Sequence, residues 1–549
     1  MTLADLALIL MFPLGVLLFA VLSPVRAVVG GFLIGYLFLP QTLIKMPGVL
    51  PDYDRTTAMV LGVLAGVCVF DLGRLLSYRP SWIDLPALVW VVGPFATSMS
   101  NGLGPYEGVS SILDQSLEFG IPYLLARVYF SDAVGVRTLV GGLVLGAMLY
   151  IPLCLYEVRM SPQLHRIVYG MHQHRFAQTY RLGGWRPTVF LQHGLAVGMW
   201  MSMGTLISWW VVISGSFRRS ESFLVPALAV LAVTTLLVKS LGALVLMLCG
   251  GFALYLSRTL GVRWLVVALT LIPPSYYAVR ISGAWTGDRF VTAIRKNVSA
   301  DRAQSVEFRL ENETLLIDRA LKRPLLGWGR WGRSMLYAES GKKITTADGR
   351  WILAFGRFGY VGLCGLTLAF LLPTWLWLST VPPPLLGRAD LAPATGLCVL
   401  LSLFAIDSLL NAMPNPFMPM AAGALGGFAL LVRRAMDAHA LNHALSNAAG
   451  WAALGERRWS APELARREQE ALHLVMRLDP EEQEAWRDAI RMTVLGLETD
   501  VLNRFLELPW AEQQGVIRRF TDSVPSGLGP VEDFESPADS ELGPGLRPA

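Results

Sequence analysis

The feature that most constrains this chain is the recurrence of long apolar runs. "ALILMFPLGVLLFAVL" near the start, then "LVGGLVLGAMLYIPLCLY", "FLVPALAVLAVTTLLV" and "ALVLMLCGGFALYL" approach or reach the roughly 20 residues that carry a helix across a bilayer. Such runs continue to about Leu431, too many for a single cleaved leader. In hydrocarbon every backbone polar group must be bonded within the structure, so runs of this length fold as helices. Charged residues make up only 16% of the chain, against about 25% in soluble domains. The expectation is an all-α polytopic membrane protein.

Some 12–13 spans can be drawn, centred near residues 13, 35, 65, 91, 121, 147, 200, 230, 248, 271, 364, 401 and 424. The fifth, "SILDQSLEFGIPYLLARVYF", carries Asp114, Glu118 and Arg127. Charges facing lipid cost several kcal/mol, so this segment is either buried in the bundle or not a span. Arginine in short loops sets orientation. One set of alternate loops holds Arg26, Arg74, Arg79, Arg127, Arg137, Arg218, Arg219, Arg258, Arg263, Arg388, Arg433 and Arg434, while 101–111 and "NAMPNPF" hold no Lys or Arg. The first set is expected in the cytoplasm, which puts the N-terminus outside and the C-terminal tail inside.

The transmembrane domain is then 1–434, with two longer extracytoplasmic loops at about 157–187 and 281–350. Residues 435–523 read as amphipathic helices in the cytoplasm, suited to contact with a partner protein. Residues 524–549 are rich in Pro, Gly and acids and are expected to be disordered. The five cysteines all lie in apolar runs without zinc-ligand spacing, so neither a disulfide framework nor a metal site is expected. A net charge of +5 without a recognition motif gives no reason to expect nucleic acid.

The two long loops are rich in arginine although they face outward. The first holds His165, His172 and His174 among Arg159, Arg166, Arg175, Arg181 and Arg186. Guanidinium groups around the imidazoles disfavour a cation and suit phosphate oxygens, which they bind bidentately. The loop ends in Arg186-Pro187, and His193 follows within the first turns of the next span. In the second loop, Val306, Leu310, Ile317 and Leu321 form one face of a helix that ends before Pro324. Arg309 lies on another face, with Glu313 one turn on as its expected partner. "RPLLGWGRWGRS" then presents Arg330 and Arg333 on a glycine-rich bend, and "TTADGRW" brings Asp348 and Arg350 to the start of a span. On composition alone, a solvated amphipathic helix followed by a flexible turn is the favoured reading of this loop.

From about Arg181 to Leu366 the chain resembles the O-antigen ligase/polymerase superfamily of bacterial glycan-assembly membrane enzymes. The resemblance rests on "RPTVFLQHG" opening a span, on Arg309 leading an amphipathic helix, on "RPLLGWGRWG" fifteen residues later, and on "TTADGRWILAFGRFGYVGL". Where family members carry His-Asn, this chain has Asp348-Gly349, and His193 stands where a small turn residue is usual.

The resemblance implies glycosyl transfer from a polyprenyl-pyrophosphate carrier to an acceptor hydroxyl at the outer face of the bacterial inner membrane, with no cofactor. Arg186 and Arg309 would stabilise the leaving pyrophosphate. Arg181, Arg330, Arg333, Arg350, His172 and His174 would bind substrate. His193 is the first choice for general base, because imidazole starts near the operating pH, and Asp348 is the second. The absent family histidine favours polymerase over ligase. A transporter or flippase of lipid-linked glycans is the rival, and a scaffold working through its tail is a third reading.

Overall fold

The computed structural model describes residues 2–453 apart from 49, 182, 218–220 and 298. Most of the helical segment expected at 435–523, and all of the tail expected at 524–549, lie outside the described residues. The chain divides into a unit Met1–Asp437 and a second beginning at Ala438.

Each apolar run folds as helix. The first group is α1 (Leu3–Val21), α2 (Pro24–Phe38), α3 (Arg55–Phe70), the short α4 (Leu72–Leu76) and α5 (Leu85–Ser100). Strands β1 (Leu43–Ile44) and β2 (Tyr53–Asp54) pair antiparallel between α2 and α3. Next come α6 (Gly104–Gln115), α7 (Ile121–Tyr129), α8 (Ala133–Met160) and the short α9 (Leu164–Tyr169). A second hairpin, β3 (Tyr180–Arg181) with β4 (Gly184–Trp185), leads to α10 (Gly194–Ile213). Then follow α11 (Glu221–Leu237), α12 (Leu241–Leu260) and α13 (Trp264–Ile281). The second long loop carries α14 (Asp288–Asn297) and α15 (Ala300–Leu321), and α16 (Arg350–Thr380), α17 (Ala392–Asp407) and α18 (Phe417–Ala453) follow.

All thirteen expected span centres fall inside one of these helices. Seven segments are long and apolar enough to cross a bilayer: α1, Trp82–Ser100, α8, α10, α12, α13 and α16. α2, α3, α11 and α17 are apolar but shorter. The chain is therefore an all-α membrane protein by length and composition. α10 is buried almost all round, whereas α12 and α13 bury only a minor share of their length.

The charges of the expected fifth span are resolved by pairing. α6 and α7 form one rod through a π-helical turn, Ser116–Gly120. Glu107, Asp114 and Glu118 are spaced seven and four residues apart, so they share a face. Each meets an arginine from the second loop or the start of α16. Glu107 takes both terminal nitrogens of Arg333, Asp114 lies 2.7 Å from Arg330, and Glu118 lies 2.7 Å from Arg350. At the opposite end Arg127 pairs with Asp84 at 2.7 Å. None of these charges is left facing lipid alone.

α16 is interrupted where "RPLLGWG" docks. Gly359 adopts φ 63°, ψ −158° inside the helix, a region in which a Cβ is strained. The break frees backbone groups that the loop then satisfies. Tyr360 and Val361 donate their N–H groups to the carbonyls of Pro324 and Leu325, at 2.7 and 3.2 Å. Trp328 and Gly329 donate back to the carbonyls of Gly356 and Arg357, at 3.0 and 2.8 Å. A Cβ on Gly359 would lie 2.3 Å from the Leu325 carbonyl oxygen. The glycine-rich bend is thus backbone-locked to a span, not a free turn.

Candidate functional site

The loop before α10 is anchored by Glu157, buried near the end of α8. Its carboxylate accepts the N–H groups of Thr188 and Val189, both at 2.8 Å, and that of Leu164 at 2.9 Å. Three donors on one carboxylate fix the turn after Arg186-Pro187. Val189 pays for this with φ 49°, an unusual conformation for a β-branched residue and one that concentrates at functional sites.

Arg186 is 8% exposed and lies across the start of α10. A Cβ added to Gly194 would meet its Cδ, Cγ and Nε within 2.9 Å, so glycine at this position makes room for the guanidinium. Arg186 Nη2 donates to Ser240 Oγ at 3.1 Å. Ser240 belongs to the short α11–α12 connection, whose Lys239 reaches back toward Gly184. Arg186 is therefore held by the first turn of one apolar helix and the tip of an apolar hairpin.

His193 is the N-cap of α10. Its Nδ1 accepts the Leu195 N–H at 3.0 Å, which leaves the neutral ring carrying its proton on Nε2. Its ring meets that of His174 edge-on at 4.5 Å between centroids. Burial lowers its pKa, and His174, Arg186, Arg181 and Arg309 lower it further, to about 3. His193 is a neutral hydrogen-bond donor in a cationic setting.

Arg309 projects from α15 into the same field. On its other side it lies 3.2 Å from Asp348, and it is within electrostatic reach of Asp407 at the end of α17. Asn411 donates to Asp407 at 2.7 Å. α15 is pinned by a buried pair at its partner helix α13: Arg280 Nε lies 2.6 Å from Glu313, and Tyr276 donates to the same carboxylate at 2.9 Å. Glu313 thus serves Arg280 rather than Arg309. Arg309, Glu313, Asp348 and Gly349 line one shallow hollow with Leu409.

The expected site residues separate into two groups. Arg181, Arg186, His174, His193 and Arg309 converge, with Asp348 paired to Arg309. Arg330, Arg333 and Arg350 are instead matched to the acids of the α6–α7 rod. His172 meets the Phe176 ring in a tilted contact, 5.3 Å between centroids, and lies near His165. Four contributors were not singled out from sequence: Glu157, Lys239, Ser240 and Asp407. Asp407 had a readable signal as a lone acid in "LLSLFAIDSLL", because an ionisable group in a span marks function. Glu157 stands in sequence at the edge of an apolar run, and nothing around it names its backbone partners.

Chemically, the cluster offers guanidinium groups and an Nε2–H near the start of the apolar helix α10, with Asp348 and Asp407 beside Arg309. That combination suits an anion. No protein-family model and no curated protein matches this chain.

Proposed function

We propose that this protein is a membrane glycosyltransferase of the O-antigen polymerase/ligase type, with a polyprenyl-pyrophosphate-linked glycan as donor. The reading takes all thirteen apolar segments as spans of a bacterial inner membrane, with the N-terminus and the Arg186 cluster on the outer side. The observation that carries it is that Arg186 packs against Gly194 beside His193, the N-cap of the apolar helix α10, with Arg181 and Arg309 within electrostatic reach of the same ring. A lipid pyrophosphate needs that combination of cations and apolar walls.

In this reaction the acceptor hydroxyl oxygen attacks the anomeric carbon of the donor sugar. The bond from that carbon to the pyrophosphate oxygen breaks, and the pyrophosphate leaves with the electron pair. Its growing charge falls between Arg186 and Arg309, with the His193 Nε2–H as a neutral donor; preorganised donors of this kind dominate such catalysis. The acceptor proton goes to a carboxylate. Asp348 is the better base than His193, because the His193 Nδ1 lone pair is committed to Leu195 and the ring resists protonation.

The test is the lipid-linked glycan pool in cells with and without the gene, resolved by chain length. Accumulation of single repeat units on deletion identifies a polymerase, and accumulation of long chains a ligase. An unchanged pool and unchanged surface polysaccharide, with the gene expressed in the control, would refute the transferase reading.

A further inference from the structure

A second hollow lies beside the first. Its walls include Tyr36, Arg55, Glu118, Arg350 and Asn415, and with the solvent at its mouth it encloses about 380 Å³. The Asp348–Arg350 segment separates the two: Asp348 and Gly349 face one hollow and Arg350 the other. Arg55 donates to Gln192 Oε1, next to His193 in sequence.

Three observations give this hollow a sign. First, Arg55 is 7% exposed and forms no ion pair among the described residues. It rests on the Tyr36 ring, 5.2 Å from the centroid, and its remaining contacts are neutral oxygens. The acid that acts on it, Asp54, caps α3 through the Thr57 N–H at 2.9 Å and makes no direct ion pair with it among the described residues. A buried guanidinium with no carboxylate in contact is unfavourable unless an anion joins it. Second, Asn415 is also 7% exposed. Its Oδ1 accepts the Phe417 N–H at 3.0 Å, which turns its amide nitrogen away from α18, and that nitrogen has no hydrogen-bond partner among the described residues. Third, Arg55, Arg350 and Pro416-Phe417 stand at the starts of α3, α16 and α18, where the helix dipole favours negative charge. Glu118 pairs with Arg350, which leaves Arg55 as the cation of this hollow with no carboxylate in contact among the described residues; Arg357, two turns deeper along α16, lies in the field of the same Glu118 and Arg350.

We infer that this hollow is a second anion site, taking one phosphate-class oxyanion on Arg55 and the Asn415 amide, separate from the Arg186 cluster. The inference concerns binding and does not require that the chain be a transferase. The oxyanion can be free or can be the headgroup of a lipid, and the two have the same chemistry at Arg55.

The full-length protein in detergent would be titrated calorimetrically with inorganic pyrophosphate and with farnesyl pyrophosphate. Asn415→Asp keeps the oxygen that caps α18 but replaces the donor by a negative oxygen. Arg55→Gln removes the charge, and Arg55→Lys restores it. The inference predicts that Asn415→Asp and Arg55→Gln each weaken one binding event at least tenfold, that Arg55→Lys recovers part of it, and that Asn415→Asp unfolds no earlier than wild type. Weakening of less than threefold by either of the first two variants overturns it. Tighter binding of farnesyl than of inorganic pyrophosphate at this site identifies a lipid headgroup, and equal binding a free anion; both outcomes support the site. Failure of the transferase reading would show separately, as binding indifferent to Arg186→Gln.

Discussion

Two sets of arginines at the loop-bearing end of this molecule look alike in sequence and differ in what they face. Arg330, Arg333 and Arg350 each meet a carboxylate of the α6–α7 rod. Arg181, Arg186 and Arg309 all act on a histidine that burial and their own charge keep neutral, and Arg309 also lies against Asp348. The first set fastens a loop to the membrane helices. The second gathers positive charge around His193, where the proposed function places the donor. Residue type and loop position do not separate the two sets; the matching acids of the rod do.

The comparison can be sharpened by breaking each set. The largest effect on folding is expected from the support of Arg309. Glu313→Ala leaves Arg280 buried and unpaired and should lower stability by about 3–5 kcal/mol, read as a fall in the thermal unfolding midpoint in detergent, with Arg309 displaced and transfer lost. Next, Arg186→Gln should reduce the transfer rate constant by roughly 10²–10³, with the unfolding midpoint little changed; a normal rate would remove Arg186 from the chemistry.

A pH prediction follows from His193 and His165. Burial lowers both pKa values from 6.5, that of His193 to about 3. Above pH 6.5 both rings are neutral folded or unfolded and contribute nothing. Below it the unfolded chain takes up protons that the folded one refuses, so stability falls as pH drops from 6.5 toward 3. His193→Asn, which retains an N-cap acceptor, should flatten part of that fall in unfolding midpoint; an identical profile would place the titration elsewhere. The smallest effect is expected at the paired arginines. Asp114→Asn should cost about 1 kcal/mol, the scale of a partly exposed pair, and alter transfer less than threefold.

Much of this architecture was legible in the sequence. Apolar runs such as 139–156 and 243–256 have few alternatives to helix, and each is one. Arg186 and His193 were legible too, because Arg-Pro at the entry to an apolar run breaks the pattern around it. The pairing was not. Arg333 and Glu107 are 226 residues apart, and Arg350 and Glu118 are 232 apart, so no local spacing announces them. The acids of the fifth span raised the right question, namely what neutralises them, but the answer required the second loop to be folded. The role of His193 was hidden for a different reason: a histidine's tautomer depends on one backbone N–H, and sequence does not say whether the ring or its neighbour caps the helix.

On the proposed function, Arg186 binds the donor and the arginines matched to the acids of the α6–α7 rod do not. The most direct measurement compares transfer by purified Arg186→Gln with that of the doubly neutralised pair Arg330→Gln/Asp114→Asn, using a polyprenyl-pyrophosphate-linked glycan as donor. The account predicts loss of roughly 10²–10³ in the first and less than threefold change in the second. An active Arg186→Gln beside an inactive double variant would contradict it and move the donor site to the α6–α7 rod.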